Sequence, residues 1–326
     1  MNVIYPIIIF VIVSICYVHI VNEYKLSEDL EVYEMDYSNN KNLQETCNIK
    51  QPVIFKRNKK IVFPSLEKFK QTLMIKDLND YYEKHETSVR SIELPCSSFL
   101  QLLKTDTTSR YFSENNQSFI DEAGIQKIFS HLDLELKPDY SVQSNYDILL
   151  ASTGACTPFR YHTSSRKYLY VVNGSIRMKM ASNKYSKYLD EVRDFENLEF
   201  KSHINVWEDK DNSNIDKIQF VEFDVPSGHI VYIPPFWRYS IKYTEVGAII
   251  LENSYSSLIN KVAFIGDSIR YHFQQHITTK DYKESKDDVP CGDEINDGVM
   301  DESSDDEIND ETIDELYEDE ISIKSM

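Results

Sequence analysis

The spacing of hydrophobic positions changes along this chain, and it starts with one long apolar run. From Val3 to Val21 the residues are apolar almost without a break. About 20 apolar residues cross the hydrocarbon core of a bilayer, so this run predicts a transmembrane anchor at residues 1–22. A cleaved signal peptide is the alternative. It would need basic residues before the run and a small-x-small cleavage site after it, and the sequence has neither.

The next part of the chain has mainly helical spacing. Residues 23–46 are polar and acidic and are expected to form a stalk. A short apolar run at residues 51–55 predicts the first strand of a folded domain. Apolar residues at steps of three and four, with one alternating stretch between them, predict further elements. These are helices at residues 65–74, 97–104 and 119–132 and a strand at residues 89–94.

From Tyr146 onwards the chain becomes rich in short strand-like runs, at the spacing of a barrel or sandwich. Asn173-Gly174 separates two such runs and predicts a β-hairpin with a type I′ turn. Other strands are expected at residues 146–150, 218–225, 229–233, 239–243 and 248–253. Helical spacing returns at residues 257–276. The apolar face of that helix consists of Leu258, Val262, Ile265, Ile269 and Phe273.

These elements indicate an α+β fold that is mainly β, a barrel or sandwich with flanking helices, in a domain at residues 47–280. The tail that follows, residues 281–326, carries 19 acidic residues and three lysines. A segment with dense like charge and few bulky apolar residues cannot offset its ordering entropy, so the tail is expected to be disordered. Two roles are open for it, a solvating one and the docking of a basic protein partner.

The charge of the body and its cysteines exclude some classes of function. The chain of 326 residues has a formal net charge of −19, most of which comes from the acidic tail. The body is therefore close to neutral, and nucleic acid is not an expected partner. The five cysteines show no CxxC or Cys/His zinc spacing, and isolated thiols suit a reducing compartment.

The expected location is a membrane crossed once. Lys25 is the first basic residue after the span, and by the positive-inside rule it favours a cytoplasmic body. The glycosylation sequons at Asn116 and Asn173 would be used only if the body were luminal.

Two runs carry the candidate chemistry, TPFRYH at residues 157–162 and IPPFWRY at residues 233–239. They resemble the two metal-binding strands of the cupin-like double-stranded β-helix (jelly-roll) barrel found in JmjC and related Fe(II)/2-oxoglutarate oxygenases. The runs KQPVIF, SENN and PPFWRYSIKY are similar to those of membrane-anchored cupin-like proteins of large DNA viruses. The resemblance covers residues 51–276 and implies a cupin-like barrel in a viral or host membrane.

The resemblance also implies that the metal site is degenerate. Such oxygenases hold iron with two histidines and one carboxylate, and the matching positions here are Arg160, His162 and Tyr239. A guanidinium has no free lone pair, and one imidazole alone does not hold iron tightly. The lysine that pairs with 2-oxoglutarate in the family is missing after Gly174, since Arg177 would point to the opposite face. Neither Fe(II) nor 2-oxoglutarate is therefore an expected cofactor.

Two arrangements are open for the altered site. In one, a cluster of polar side chains converges on a small cavity that favours an anion. The residues expected in or beside that cavity are Arg160, His162, Arg166, Tyr239, Thr157 and Trp237. In the other, Arg160 pairs with a buried acid, such as Glu252 or Asp147, and fills the old metal cavity.

The function expected from these observations is that of a non-catalytic binding or scaffold protein on a membrane. The alternative is a hydroxylase with unusual ligation, through His162 together with His203 or His229. A thiol nucleophile, Cys156 near His162, is a further alternative that rests on one isolated pair of residues.

Overall fold

The computed structural model describes residues 4–59, 61–82, 91–194, 199–208 and 213–273. The chain divides into two units, residues 1–271 and 272–326. The second unit is described only at its first two residues, and the predicted disordered tail, residues 281–326, lies outside the described part. The first unit is a mixed α+β structure that is rich in sheet, as the sequence pattern predicts.

Helices are found at both ends of the first unit and before the main run of strands. They are α1 (Ile4–Glu23), α2 (Asn40–Cys47), α3 (Leu78–Tyr82), α4 (Cys96–Thr105), α5 (Gln117–Glu122), α6 (Gln126–Leu136) and α7 (Leu258–Ala263). Another helical stretch begins at residue 265. Single 3₁₀ segments occupy Leu66–Lys68, Asn183–Tyr188 and Ile215–Lys217.

The strands form two sheets. Those before residue 145 and the long strand that follows are β1 (Tyr33–Asp36), β2 (Val53–Lys56), β3 (Thr72–Asp77), β4 (Ile92–Pro95), β5 (Tyr111–Ser113) and β6 (Ser141–Ala151). The central strands are β7 (Arg160–Tyr161), β8 (Arg166–Asn173), β9 (Ser175–Ala181), β10 (Glu191–Asp194) and β11 (Glu199–Ser202). The last four are β12 (Val221–Pro226), β13 (His229–Ile233), β14 (Arg238–Tyr243) and β15 (Ile249–Ser257).

Nine strands make the first sheet, in the order β1-β2-β13-β8-β15-β6-β5-β3-β4. Six strands make the second sheet, in the order β10-β11-β7-β14-β9-β12. The pairings are antiparallel except for β1 with β2, which run parallel. Consecutive strands from β6 to β9 therefore alternate between the two sheets, and so do those from β12 to β15.

Strand β8 shows why the first sheet is apolar on both faces. Successive side chains of a strand point to opposite faces. Tyr168 and Tyr170 belong to a core that also contains the buried faces of helices α2, α4 and α6, whereas Leu169 and Val171 belong to a core shared with the second sheet. A sheet covered on both sides needs nearly continuous apolar strands, which is what this part of the sequence provides.

The predicted hairpin at Asn173-Gly174 is wrong. Strand β8 pairs with β13 and β15 in the first sheet, while β9 pairs with β12 and β14 in the second. Gly174 carries the chain from one sheet to the other with a φ of +72°, and a Cβ there would meet Ala248 at 2.9 Å. The Asn-Gly pair correctly predicts a left-handed backbone position. However, β8 and β9 form their backbone hydrogen bonds with other strands and not with each other.

The stalk predicted at residues 23–46 is also wrong over its second half. Strand β1 pairs with β2 from Tyr33 to Asp36, and helix α2 buries Leu43 and Cys47 completely. An Asn39 side chain that accepts from the backbone N–H of Asn42 starts this helix. The polar composition concealed this helix, because only Leu43 and Cys47 of α2 are buried.

Two of the predicted helices differ in detail from those observed. Residues 65–74 form a 3₁₀ segment followed by β3, and residues 119–132 are divided between α5 and α6 at Gly124, which has a φ of +67°. Helix α4 and strand β13 lie at their predicted places. Residues 83–90 are not described, so only the second half of the strand predicted at 89–94 is visible, as β4.

Helix α1 has the length and composition to cross a membrane, from Tyr5 to Glu23, and none of this window is buried against the body. A signal sequence would meet the same criterion. One sequon is excluded from use in the folded protein, because Asn116 is 1 % exposed and its amide donates to Ser113 Oγ and Ile148 O. The described cysteines, Cys16, Cys47, Cys96 and Cys156, are free thiols.

Candidate binding pocket between the sheets

A pocket of about 500 Å³ is lined by residues of both sheets. The first sheet contributes Lys167 from β8 and Glu252 from β15, and the second contributes Arg160 from β7 and Tyr239 from β14. His162, just after β7, also lines it. Arg160, His162 and Tyr239, the positions that the resemblance assigns to the metal site, thus line one cavity.

Arg160 does not point freely into this cavity. Its Nη1 lies 2.5 Å from Oε2 of Glu114, and Lys76 Nζ lies 3.0 Å from the other oxygen of that carboxylate. Burial alone would raise the pKa of Glu114, but Arg160 and Lys76 outweigh it and hold that pKa well below its usual value. The pairing of Arg160 with a buried acid is therefore as predicted, although the acid is neither Glu252 nor Asp147.

Glu252 has a different cation. Its Oε1 lies 2.5 Å from Lys167 Nζ, and both side chains are less than 15 % exposed. The Lys167 amine also donates to the Tyr239 hydroxyl at 3.5 Å. Burial would lower the pKa of Lys167, but Glu252 more than offsets this and raises it. The Lys167 amine is therefore a charged ammonium at neutral pH.

Asp147 is the third acid of the pocket, and backbone groups hold it. It lies directly opposite Glu252 in the β6–β15 register. Its carboxylate accepts from the backbone N–H groups of Asn115, Asn116 and Ile148 at 2.7–2.8 Å. Burial, and then the charge of Glu252, outweigh these donors and raise the pKa of Asp147 to about 7. This carboxyl group therefore changes its charge near neutral pH.

His162 is neutral. Burial, and then the charge of Lys167, lower its pKa well below the usual value. The ring nitrogen Nε2 lies 3.1 Å from the carbonyl oxygen of Ile233, which assigns the proton to Nε2 as the donor. The ring stands edge-on to Tyr239 with 6.4 Å between ring centres. A neutral imidazole gives the pocket no positive charge at physiological pH.

Two polar residues expected beside the cavity lie elsewhere. Arg166 is turned to the other face of β8, where it donates to Gln44 and Asn48 of the α2 region. The period of two explains this, because Lys167 and not Arg166 shares a face with Leu169. Thr157 uses its hydroxyl to accept from the backbone N–H of Ile241.

Trp237 and the two additional histidines also lie outside the pocket. Trp237 is fully buried in the core between the sheets. His203 has Nδ1 3.2 Å from the Tyr81 carbonyl oxygen, and His229 lies on β13 beside a separate surface hollow. Neither histidine lines the cavity that contains His162, so unusual iron ligation by such a pair finds no support in the geometry.

Cys156 does not have the properties of a thiol nucleophile. Burial raises the pKa of its thiol to about 11, so the group is protonated at neutral pH. Its Sγ donates to the carbonyl oxygen of Gly154 at 3.4 Å, and Cys156 does not line the cavity that contains His162. The pair that the sequence suggests is therefore not brought together at this site.

The sequence interpretation missed Glu114, Lys76 and Lys167. A signal for them exists, because each is a charged residue in or next to a strand that contains buried apolar side chains. Such residues are buried only when they are paired. The pairing itself joins residues far apart in the chain and becomes visible only in the fold.

The residues of this pocket do not fit an iron ion. The guanidinium of Arg160 is no ligand, and a neutral His162 offers one nitrogen. The carboxylates are already engaged, Glu114 and Glu252 by cations and Asp147 by backbone donors. Within the described residues no group of three His, Cys, Asp or Glu side chains is placed to hold a metal.

Comparison with models of known protein families gives no match for this chain, and comparison with curated protein sequences gives none either.

Proposed function

We propose that this protein is a membrane-anchored, non-catalytic binding module with a degenerate cupin-like barrel. Helix α1 supplies the anchor, and the pocket between the sheets binds a small polar molecule. The observation that carries the proposal is the ion pair of Arg160 with Glu114, because the resemblance assigns an iron ligand to the position of Arg160. A guanidinium has no free lone pair for a metal, and here it is paired with a buried carboxylate.

The strand order supports the barrel. In a double-stranded β-helix, consecutive strands alternate between two sheets, as β6 to β9 and β12 to β15 do here. The middle of the first sheet then reads β13-β8-β15-β6, and the last four strands of the second sheet read β7-β14-β9-β12. The extra strands β1 to β5 extend the first sheet at both sides, and β10 and β11 extend the second. The proposed barrel is thus an eight-stranded jelly roll with additions.

The charges of the pocket favour one class of ligand. Arg160 and Lys167 each have a carboxylate partner within 2.5 Å, so a second anion would have to compete with those partners. The acids of the pocket lining, Glu114, Asp147 and Glu252, lie among its cations, Arg160 and Lys167. A zwitterionic or uncharged polar molecule suits this mixed lining better than a free dicarboxylate such as 2-oxoglutarate.

The catalytic alternative, an Fe(II)/2-oxoglutarate hydroxylase, is tested directly. Full-length protein purified in detergent is supplied with Fe(II) and 2-oxoglutarate without oxygen, and bound iron is measured by mass spectrometry. Oxygen is then admitted and succinate is measured. We expect no stoichiometric iron and no succinate above a boiled control. One iron per chain together with 2-oxoglutarate turnover would refute the non-catalytic proposal.

Ligand class is tested by thermal unfolding with glycerophosphocholine as a zwitterion and 2-oxoglutarate as a dianion. We expect glycerophosphocholine to raise the unfolding temperature and 2-oxoglutarate to leave it unchanged. The substitution Ser164→Trp at the pocket lining should abolish the shift, because the indole blocks the opening. Ser130→Trp, on the exposed side of α6, is the control and should retain it. Stabilisation by 2-oxoglutarate alone would contradict the proposed ligand class.

A further inference from the structure

An apolar face is left exposed beside the end of the anchor helix. Leu258, Ile259 and Val262 of α7 and Ile265 and Ile269 of the next helical stretch are each 37–64 % exposed. Their steps of three and four residues bring most of them to one side of a helix. Soluble surfaces rarely carry contiguous apolar patches of this kind without a partner. We therefore expect a partner to cover this face.

The end of helix α1 lies beside this apolar face. Helix α1 ends at Glu23, whose carboxylate accepts from the Asn260 amide of α7 at 3.1 Å. The next residue, Tyr24, donates its hydroxyl to the carbonyl oxygen of Ala263 at 2.7 Å and packs edge-on against Phe264. The apolar face thus begins beside the C-terminal end of helix α1.

The anchor is also fixed to the body from a second side. Lys50 Nζ donates to the last carbonyl oxygens of α1, those of Asn22 at 2.7 Å and Glu23 at 3.0 Å. A cation at the C-terminal end of a helix is favoured by the helix dipole. With α7 on one side and Lys50 on another, the body has little freedom to turn its apolar face away from the bilayer.

The same elements also contact or contribute residues that line the mouth of the pocket. The Asn260 amide donates to the carbonyl oxygen of Thr163, and Tyr271 of the following helix lines the pocket. Phe236 packs between the rings of Tyr24 and Tyr161, the second of which also lines the pocket. The pocket mouth and the apolar face are therefore neighbours.

We propose that this apolar face of α7 and the helix after it is seated in the headgroup layer of the membrane that α1 crosses, beside the mouth of the pocket. The inference rests on α1 being a membrane anchor, as in the proposed function. A helix lying in the interface buries its apolar side among the headgroups and the first acyl carbons. Burial there removes from water the side chains that the body leaves exposed.

The test places a fluorophore at matched sites of the full-length protein in nanodiscs that hold one chain each. Val262→Cys reports on the apolar face. Val246→Cys, another exposed valine, is the control, because β15 separates it from α7 by about 30 Å. Both variants carry Cys16→Ser and Cys291→Ser, so that only the new thiol is accessible. Native Cys16, labelled in a Cys291→Ser protein, reports on the span itself.

An environment-sensitive dye is attached, and lipids brominated near the headgroup serve as quenchers. We expect dyes at residues 16 and 262 to emit at shorter wavelength and to lose intensity with brominated lipid, while the dye at residue 246 does neither. Quenching at residue 16 without quenching at residue 262 would overturn the inference and leave the anchor intact. Equal quenching at residues 246 and 262 would also overturn it. Absence of quenching at residue 16 would overturn the anchor and this inference together.

Discussion

The guanidinium of Arg160 and the carboxylate of Glu114 join the two sheets, with Nη1 and Oε2 2.5 Å apart. Arg160 begins β7 in the second sheet, and Glu114 follows β5 of the first. Only Lys76, from β3, shares the carboxylate with it in the described ion pairs. The pair therefore links the two sheets at a point where both side chains line the pocket.

Breaking this pair is expected to destabilise the fold. Arg160→Met leaves Glu114 buried with one cation instead of two, and loss of one partner of a buried ion pair costs about 3 kcal/mol. Urea unfolding of the full-length protein in detergent measures the change. Lys104→Met is the control, since Lys104 and Glu67 form an exposed pair at 3.0 Å whose loss costs less than about 1 kcal/mol. Equal losses in the two variants would show that the pocket pair is not a structural link.

Asp147 is expected to make stability fall as the pH rises from acid to neutral. Its pKa is about 7 in the folded state, above the usual carboxyl value, so between those two values the folded chain binds more protons than the unfolded chain. The stabilisation that Asp147 contributes is fully present below the pKa of the unfolded state, and it is lost as the pH rises through the pKa of the folded state. Asp147→Asn should therefore flatten the decline when unfolding free energy is measured between mildly acid and neutral pH.

A matched carboxylate separates this effect from general charge. Asp224 hydrogen-bonds Arg177, which lowers its pKa, so Asp224→Asn should leave the slope over the same pH range unchanged. If the two substitutions flatten the curve equally, Asp147 does not titrate as described.

Gly174 is expected to tolerate alanine poorly. Its φ of +72° disfavours any side chain, and a Cβ would approach Ala248 within 2.9 Å. Gly247 has the same φ but open space around it, so Gly247→Ala carries only the backbone cost of about 1 kcal/mol. Denaturant unfolding of the two variants should show the larger loss for Gly174→Ala. Equal losses would mean that the crossing between the sheets relaxes freely.

Restoring the ligand types is expected to create an iron site. Arg160→His, His162→Asp and Tyr239→His together place two histidines and a carboxylate where the three native side chains meet. The triple variant should retain stoichiometric Fe(II) after desalting. The variant that keeps Tyr239 has one ligand fewer and should lose the metal. Failure of the triple variant to bind iron while it remains folded would count against the resemblance that assigns these positions.

The sequence by itself determined the classes of element and several of their places. Nineteen nearly unbroken apolar residues predict a helix that is long enough to cross a membrane. The apolar run of β13 and the alternation along β14 predict strands. The resemblance predicted that Arg160, His162 and Tyr239 lie close together, because it links two runs that are distant in the chain. The sequence pattern did not predict which side chains these residues contact.

Only the tertiary structure decided which charges meet. Arg166 and Lys167 look equivalent in sequence, yet one faces α2 and the other faces Glu252, because a strand turns adjacent side chains to opposite faces. Asn173-Gly174 has the local preference for a hairpin, but strands from elsewhere in the chain pair with β8 and β9. Local preferences are worth tenths to a few kcal/mol, and the long-range pairing of whole strands outweighs them.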